Sequence, residues 1–370
     1  MATVCRDSVR SGVRSPESKK PALTSGKLSR ILVIVRLNFL SLAKGDPMKA
    51  LLSVLISLAL LGAAEAQEKM ARVGYLTWKD AGPYHEATTQ GFIAGLRDEG
   101  FVEGKNLVLE RRSADHDPEH FKILARELAA AKVDVFFAPA TPMATAAWRA
   151  DRNTPIVIAT ILDPVELEFV KSLARPGTRV TGVTTMNNEL TAKRFQLLME
   201  AVPGLKKVGV VVDEAMRDAC KQEVDTMNAA AKKLGLGLVY VHVDRMESID
   251  GAFRKLSAAG AQAVTTTLMS TRNGLEKEYA DAALKYRLPS MHEMDYGPSM
   301  GGLISYGPDI VDVFRRAGRY VGLILKGGKP AEMPMEEPRQ FRMKVNLNTA
   351  KALGITIPQS VLLRADEVIQ

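Results

Sequence analysis

Two loops that follow short apolar runs carry side chains suited to the two ends of a small zwitterion. Thr141 and Pro142, in ATPMA at 140–144, follow a predicted strand and open a helix. A hydroxyl and backbone N–H groups would therefore face a carboxylate there, with Thr141 as the N-cap. Asp163, in LDPV at 162–165, has the equivalent place after the next strand and could pair with an ammonium group. Both residue types also cap helices without touching a ligand, and that alternative stays open.

Other candidate binding residues lie where further predicted strands end. Thr77 and Trp78 close the first strand, so the indole ring would lie at a cleft rim and stack on an apolar or aromatic molecule. The remaining candidates, all in the second half of the chain, are Asp213, Met269, Asp295 and Tyr296. Asp295 and Tyr296 lie in the loop HEMDYG at 292–297, and a loop of this composition is also common as a solvated turn.

The sequence lacks the signatures of a catalytic or metal centre. It has neither a Gly-x-Ser-x-Gly elbow nor a P-loop. Cys220 is the one cysteine after residue 66, so neither an intramolecular disulfide nor a cysteine-ligated metal is expected in that part. His116 and His120 are four apart, but Pro118 between them predicts that the helix begins after His116. We expect no enzyme activity, no cofactor and no metal.

The elements that would position these residues alternate regularly. Short β-branched runs are separated by helical stretches, which predicts parallel βαβ units with helices on both sheet faces. The series restarts after the turn-rich AVPGLKK at 201–207, so we predict an α/β fold with two Rossmann-like, doubly wound lobes and a cleft between them. The glycines of GFIAG at 91–95 predict close packing of a helix on a sheet. The clearest strand candidates are 72–76, 107–111, 133–137, 156–160, 180–184, 208–212, 237–243 and 263–267.

Residues 48–66 have the anatomy of a secretory signal peptide. Lys49 precedes an apolar run of roughly a dozen residues, too short for the ~20 that span a bilayer, and Ala64-Glu65-Ala66 predicts cleavage before Gln67. Residues 1–47 would then be an overextended N-terminus, with translation starting at Met48. A long n-region or a second membrane-active segment is the alternative. A soluble periplasmic product without a lipid anchor is expected, because no cysteine follows the cleavage site.

The net charge of the chain comes mostly from this leader. The whole sequence has a formal charge of +8, but residues 1–66 hold ten of its 50 basic and four of its 42 acidic residues. The remainder, with 40 basic and 38 acidic residues, has a net charge of about +2. Nothing in this balance favours a nucleic-acid partner.

An ordered set of short motifs runs along the chain after the leader. They are FVEGKN at 101–106, ATP at 140–142, DP at 163–164, SLARPG at 172–177 with VTG at 180–182, AVPG at 201–204, ISYGP at 304–308 and ALGITIP at 352–358. Together they are more specific than any one of them. In this order they resemble the ABC transporter substrate-binding protein family that includes tryptophan/tyrosine-type receptors, and the resemblance covers residues 70–370.

The resemblance implies a type I periplasmic binding protein whose lobes are joined by a three-segment hinge. The N-terminal lobe would comprise 70–186 plus 308–335, and the C-terminal lobe 187–306 plus 336–370, with a helix at 310–325 returning to the first lobe. Such a protein binds a small-molecule solute and delivers it to an ABC permease at the inner membrane. We expect it to be a monomer.

The candidate binding residues indicate the chemical class of the solute. A helix mouth, an acidic residue and an aromatic rim fit a zwitterion with an apolar side chain, such as an aromatic or branched amino acid. An exported sensor that passes its occupancy to a membrane receptor is the alternative function. A cytoplasmic repressor with the same fold would carry an N-terminal helix-turn-helix, whereas this chain begins with a leader.

Overall fold

A computed structural model of the chain describes residues 70–78, 82–114, 117–161, 163–185, 187–214, 217, 220–244, 248–267 and 275–370. The predicted leader, the predicted overextension at 1–47 and the candidate Met269 lie outside the described residues. Residues 70–370 form one compact unit.

The first sheet has, within the described chain, five parallel strands in the order β2-β1-β3-β4-β5. They are β1 (Ala71–Trp78), β2 (Leu107–Ala114), β3 (Val135–Phe137), β4 (Ile156–Ile161) and β5 (Val180–Thr184). The helices that cover this sheet are α1 (Gly82–Asp98), α2 (Phe121–Ala130), α3 (Thr141–Ala150) and, from much later in the chain, α8 (Ile310–Leu325).

The second sheet has the order β12-β11-β10-β9-β8-β6-β7, and the pair β10 and β11 is antiparallel. Its strands are β6 (Lys207–Asp213), β7 (Gly237–Val243), β8 (Ala263–Thr266), β9 (Ser290–His292), β10 (Ile304–Pro308), β11 (Phe341–Asn346) and β12 (Glu367–Ile369). The helices of this lobe are α4 (Asn187–Ala201), α5 (Lys221–Leu234), α6 (Ile249–Ala258), α7 (Glu276–Lys285), α9 (Leu347–Leu353) and α10 (Gln359–Leu362).

The predicted fold class, two α/β lobes with parallel sheets, is confirmed. The signal was the run of apolar residues in each central strand, of which β4 is the clearest: all six of its residues are buried. A parallel strand covered by helices on both faces must be apolar throughout. Val73 and Tyr75 of β1 pack with α1 and α8 on one face, while Leu76 packs with α2 and α3 on the other.

The glycines at 91 and 95 pack differently from the prediction. They bring α1 against another helix, α8, and not against the sheet. A Cβ on Gly95 would lie 1.8 Å from the carbonyl oxygen of Arg315, and one on Gly318 would lie 2.1 Å from that of Phe92. The prediction was wrong about the partner because α8 follows α1 by more than 200 residues, which local patterns do not reveal.

Within the described chain, the polypeptide passes three times between the sheets, after β5, between β10 and α8, and at 333–340. At the second passage Asp309 caps α8 by accepting a hydrogen bond from the amide of Asp312 (3.1 Å), and Arg342 Nε lies 2.7 Å from Asp309 Oδ2. At the third, the amide of Glu336 donates to the carbonyl of Gly182 (2.9 Å). The second passage is thus held to both lobes, and the third is bonded to β5 of the first lobe.

No helix among the described residues is both long enough and apolar enough to cross a lipid bilayer.

Candidate functional site

A cavity of about 660 Å³, partly open to solvent, lies at the carboxyl ends of strands from both sheets. Ligands of doubly wound folds bind at this edge, beyond the carboxyl ends of the strands. Residues of the first lobe contribute most of its wall, and Glu276, Met294 and Tyr296 close it from the second. The first-lobe residues are Tyr75, Thr77, Trp78, His85, Thr88, Pro139, Ala140, Met143, Thr160, Ile310 and Phe314.

The wall from the first lobe is mainly aromatic and aliphatic. Tyr75 is buried, with its ring centroid 4.9 Å from that of Phe137. Trp78 ends β1 and packs edge-on against Phe121, with the two ring centroids 4.6 Å apart. Its indole Nε1 is buried and has no hydrogen-bond partner among the described residues. An acceptor group on a bound molecule would satisfy this donor, and the surrounding apolar surface would cover the rest of that molecule.

The start of α3 forms part of the cavity, but not as the sequence predicted. The N-cap is Ala140, with an extended backbone (φ −121°, ψ 161°) and no side-chain cap, whereas Thr141 was expected to cap the helix. Pro142 stands in the first turn, where its fixed φ and missing N–H suit a helical conformation, so the helix already includes Thr141. Ala140 and Met143 line the cavity, while Thr141 and Pro142 do not.

Helix geometry leaves the first-turn N–H groups of α3 without intrahelical partners. This end of the helix also carries the positive end of the helix dipole. Because Ala140 and Met143 lie at the cavity wall, the backbone here can receive a carboxylate without help from the Thr141 hydroxyl. The anion site stays a prediction, in which backbone N–H groups of the first turn are the donors.

Two side chains add polar contacts from the first lobe. Thr77 Oγ1 lies 3.0 Å from His85 Nε2, which joins the end of β1 to α1. Burial lowers the pKa of His85, so the imidazole is neutral at pH 7. Thr160 Oγ1 donates to the carbonyl of Pro139 at 3.0 Å and holds the loop that leads into α3.

The second lobe supplies a carboxylate. Glu276 is the first residue of α7, and Tyr296 donates its hydroxyl hydrogen to Glu276 Oε1 at 2.9 Å. Burial raises the pKa of Glu276 to about 7; the Tyr296 hydrogen bond opposes this rise, and the charge of Glu278 adds to it. A carboxyl group in a cleft whose pKa is raised to a value near neutral pH is typical of functional sites.

Asp163 lies outside the cavity wall and acts within its own turn. Its Oδ1 accepts the backbone N–H groups of Val165 and Glu166, both at 2.9 Å, as in the capping alternative. The other oxygen, Oδ2, lies 3.4 Å from Nε2 of Gln222 on α5. Asp163 therefore connects the two lobes beside the cavity.

The other candidates from the second half of the chain are dispersed. Asp213 ends β6 and is buried away from the cavity wall. Asp295 is buried facing β11, with Oδ2 3.8 Å from Lys344 Nζ. Of the nine residues predicted, the cavity brings together Thr77, Trp78 and Tyr296, and ligand contact by any of the nine remains a prediction.

Sequence reasoning did not find several wall residues. Glu276, His85 and Phe314 sit on helices, and at a helix the residue type alone does not say which side faces a cleft. A usable signal existed for Glu276, because it stands at the start of a helix that follows a strand, as Thr141 does. No cluster of three or more His, Cys, Asp or Glu side chains that could hold a metal occurs within the residues described.

Two α/β lobes with a cavity at their facing strand ends define the class of cleft-binding proteins. The family model described as ABC transporter substrate binding protein matches residues 81–369, and the chain belongs to this family. The resemblance inferred from the motifs is confirmed. Proteins of this family bind small solutes and work with a permease.

Similar proteins span most of the chain. A tyrosine-binding protein of Clostridioides difficile (strain R20291) is 26% identical over 276 residues, covering 74% of this chain and 78% of that protein. The structure of an ABC domain in complex with L-Trp from Streptococcus pneumoniae is 26% identical with a TM-score of 0.75, covering 81% of this chain and 99% of that one. A conserved domain protein from Vibrio cholerae O1 biovar El Tor strain N16961 is 27% identical with the same TM-score, covering 81% and 100%.

Proposed function

We propose that this protein is the periplasmic solute-binding component of an ABC importer and that its solute is an aromatic or branched amino acid. The observation that carries the proposal is the cavity between the lobes, whose wall combines aromatic and aliphatic surface with few polar groups. Such a wall is typical of small-molecule sites, where apolar surface covers the ligand and a few polar groups orient it. The tyrosine-binding relative and the neighbour with bound L-Trp support the same solute class.

The cavity has a place for each part of such a solute. The first turn of α3 receives the carboxylate, and the aromatic wall with Tyr75, Trp78 and Phe314 covers the side chain. The buried Nε1 of Trp78 offers a further donor to an oxygen of the solute. An apolar side chain of this size gains most of its affinity from leaving water, whereas the few polar groups determine its orientation.

The two lobes would close on the solute by moving about the three chain passages. We assign 70–186 with 308–335 to one lobe and 187–306 with 336–370 to the other, and the strand membership of the two sheets supports this division. The contact between Asp163 and Gln222 is one that the lobes make when they are close together. A solute that touches both lobes would favour this arrangement over an open one.

A thermal-shift screen tests the solute class. With an amino acid at 100 times its dissociation constant, the native state gains about 2.7 kcal/mol. At about 2–4 °C per kcal/mol for a large domain, Tm should rise by roughly 5–10 °C with L-tryptophan, L-tyrosine, L-phenylalanine or L-leucine. Stabilisation by a neutral sugar such as D-ribose, together with no response to any of the four amino acids, would exclude the proposal.

Export is the second part of the proposal. Residues 48–66 act as a cleaved signal peptide, residues 1–47 are not translated, and the product is a monomer in the periplasm. The protein isolated from the periplasm should begin at or near Gln67 when its intact mass is measured. A mature product that retains residues 1–47 would contradict this part.

A further inference from the structure

The described wall of the cavity carries an acidic side chain but no strongly basic one. Among the wall side chains that the structure describes there is one carboxylate, Glu276, and neither a lysine nor an arginine. The remaining titratable groups of the wall are His85, whose pKa is lowered by burial, and the phenols of Tyr75 and Tyr296. On the described wall a solute anion therefore meets neutral donors, such as the backbone N–H groups of α3 and Trp78 Nε1, whereas a solute cation finds a carboxylate directly.

Glu276 is held in place from one side. The hydroxyl of Tyr296 donates to Oε1 at 2.9 Å, and Tyr296 immediately precedes the short 3-10 helix Gly297–Met300, which packs against α7. This contact orients the carboxyl group, to which the backbone N–H of Glu276 also donates. The neighbouring loops therefore fix the geometry of the group before any solute binds.

Within the described chain, the groups that act on Glu276 are acidic or neutral. On its own helix Glu278 raises its pKa, and this residue is also acidic. Tyr296 of the following loop and, across the cavity, His85 and Tyr75 are neutral. A half-buried carboxylate that no described cation faces is costly. A positive charge on a bound molecule would offset this cost.

We propose that Glu276 binds the ammonium group of the solute and that solute binding is coupled to release of a proton from this residue. The inference rests on the proposed function and extends it, because it names the residue that selects amines and predicts how binding depends on pH. It also moves the ammonium site from Asp163, whose carboxylate is occupied by backbone amides and Gln222, to the second lobe.

The direction of the pH dependence follows from linkage. The empty site has a Glu276 pKa of about 7, and an adjacent ammonium group lowers it, because the charged form is then favoured. The bound state therefore holds fewer protons than the empty state, and affinity rises with pH through the empty-site pKa. Between pH 6 and pH 8 we expect the dissociation constant of an amino acid to fall by about tenfold.

The test compares L-tryptophan with 3-(indol-3-yl)propionate, which lacks the ammonium group. Calorimetric titrations at pH 6 and pH 8 would be made with the wild type and with Glu276→Gln. The substitution should weaken binding of L-tryptophan by at least about tenfold, because it removes a hydrogen bond between charged groups. It should also abolish the pH dependence of L-tryptophan binding. Binding of the propionate should be unchanged or tighter.

Two further variants control for indirect effects. Glu278→Gln removes a carboxylate two residues along the same helix that does not line the cavity. At pH 8, where Glu276 is mostly ionised in both proteins, the ratio of the affinities for L-tryptophan and the propionate should stay as in the wild type. Tyr296→Phe keeps the carboxylate but removes the hydrogen bond that lowers its pKa. In this variant the midpoint of the pH dependence should move upward, a readout that remains informative if Glu276→Gln fails to fold.

The outcomes separate the inference from the proposed function. If the wild type binds L-tryptophan and Glu276→Gln leaves the ratio to the propionate unchanged, the inference is overturned and the proposed function stands. If no aromatic or branched amino acid binds but tryptamine binds in a Glu276-dependent manner, the proposed function fails and amine recognition stands. If the wild type binds none of these compounds, both are overturned.

Discussion

Replacing Arg194 with methionine will lower the free energy of unfolding by about 3–5 kcal/mol, because buried carboxylates then lose their cation. Arg194 on α4 is 3% exposed, and the buried acids that interact with its charge are Glu293 and Glu223, at 1% and 0%. Its Nε also donates to the carbonyl of Tyr306 at 2.7 Å, next to the passage from β10 to α8. The loss should appear in urea unfolding followed by circular dichroism.

The free energy of unfolding that Arg194→Met loses should depend on pH. Burial raises the pKa of Glu293 in the folded protein, and the positive charge of Arg194 opposes that rise. Without Arg194 the pKa rises further, so the folded state binds a proton more tightly than the unfolded chain. The stability that this proton contributes is present at low pH and is lost as pH rises through the folded-state pKa. We therefore expect a smaller deficit at pH 5.5 than at pH 8.

A surface arginine provides the control for this prediction. Arg364 pairs with Glu200 while both side chains remain 37% and 41% exposed, so Arg364→Met should cost less than about 1 kcal/mol. An equal loss for the two variants, or a deficit of Arg194→Met that does not change with pH, would show that Arg194 does not balance buried charge.

Gly95→Ala should lower the free energy of unfolding by about 3 kcal/mol through overpacking. The added Cβ would lie 1.8 Å from the carbonyl oxygen of Arg315, a backbone atom of α8 that cannot rotate away. The helices must separate, and α8 carries Ile310 and Phe314 at the cavity wall, so solute binding should weaken as well. Differential scanning calorimetry, with and without L-tryptophan, measures both effects.

The matched control is Gly251→Ala in α6. Nothing lies within 4 Å of the Cβ that it would add, and removing a helical glycine restricts the unfolded chain. This variant should gain about 0.4–1 kcal/mol. A Gly95→Ala protein that unfolds at or above the wild-type Tm would contradict the close approach of α1 and α8.

The elements that the sequence predicted well are those with a strong local pattern. The helix α8, predicted over 310–325, has these bounds in the structure, because apolar residues recur along one face and Asp309 caps its first turn. By contrast, β11 was not predicted, although Phe341, Met343 and Val345 alternate with polar residues. Its antiparallel place beside β10 depends on a long return of the chain, which leaves no local trace.

The candidate site was predicted only in part, because the same residue types cap turns and bind ligands. Asp163 is a residue type that binds ammonium groups, but its Oδ1 accepts two backbone N–H groups of its own turn. Trp78 was placed correctly at the end of a strand and Tyr296 in a loop, but the partner of Tyr296 is Glu276, 20 residues earlier on a different element. Pairings of this kind depend on how the loops of one lobe fold together.

Small-angle X-ray scattering with and without L-tryptophan tests the central claim, closure of two lobes on an amino acid. The protein should have a larger radius of gyration alone than with L-tryptophan at a concentration that saturates its thermal shift, because the solute holds Asp163 and Gln222 close together. A radius of gyration that does not change on adding L-tryptophan would contradict the claim.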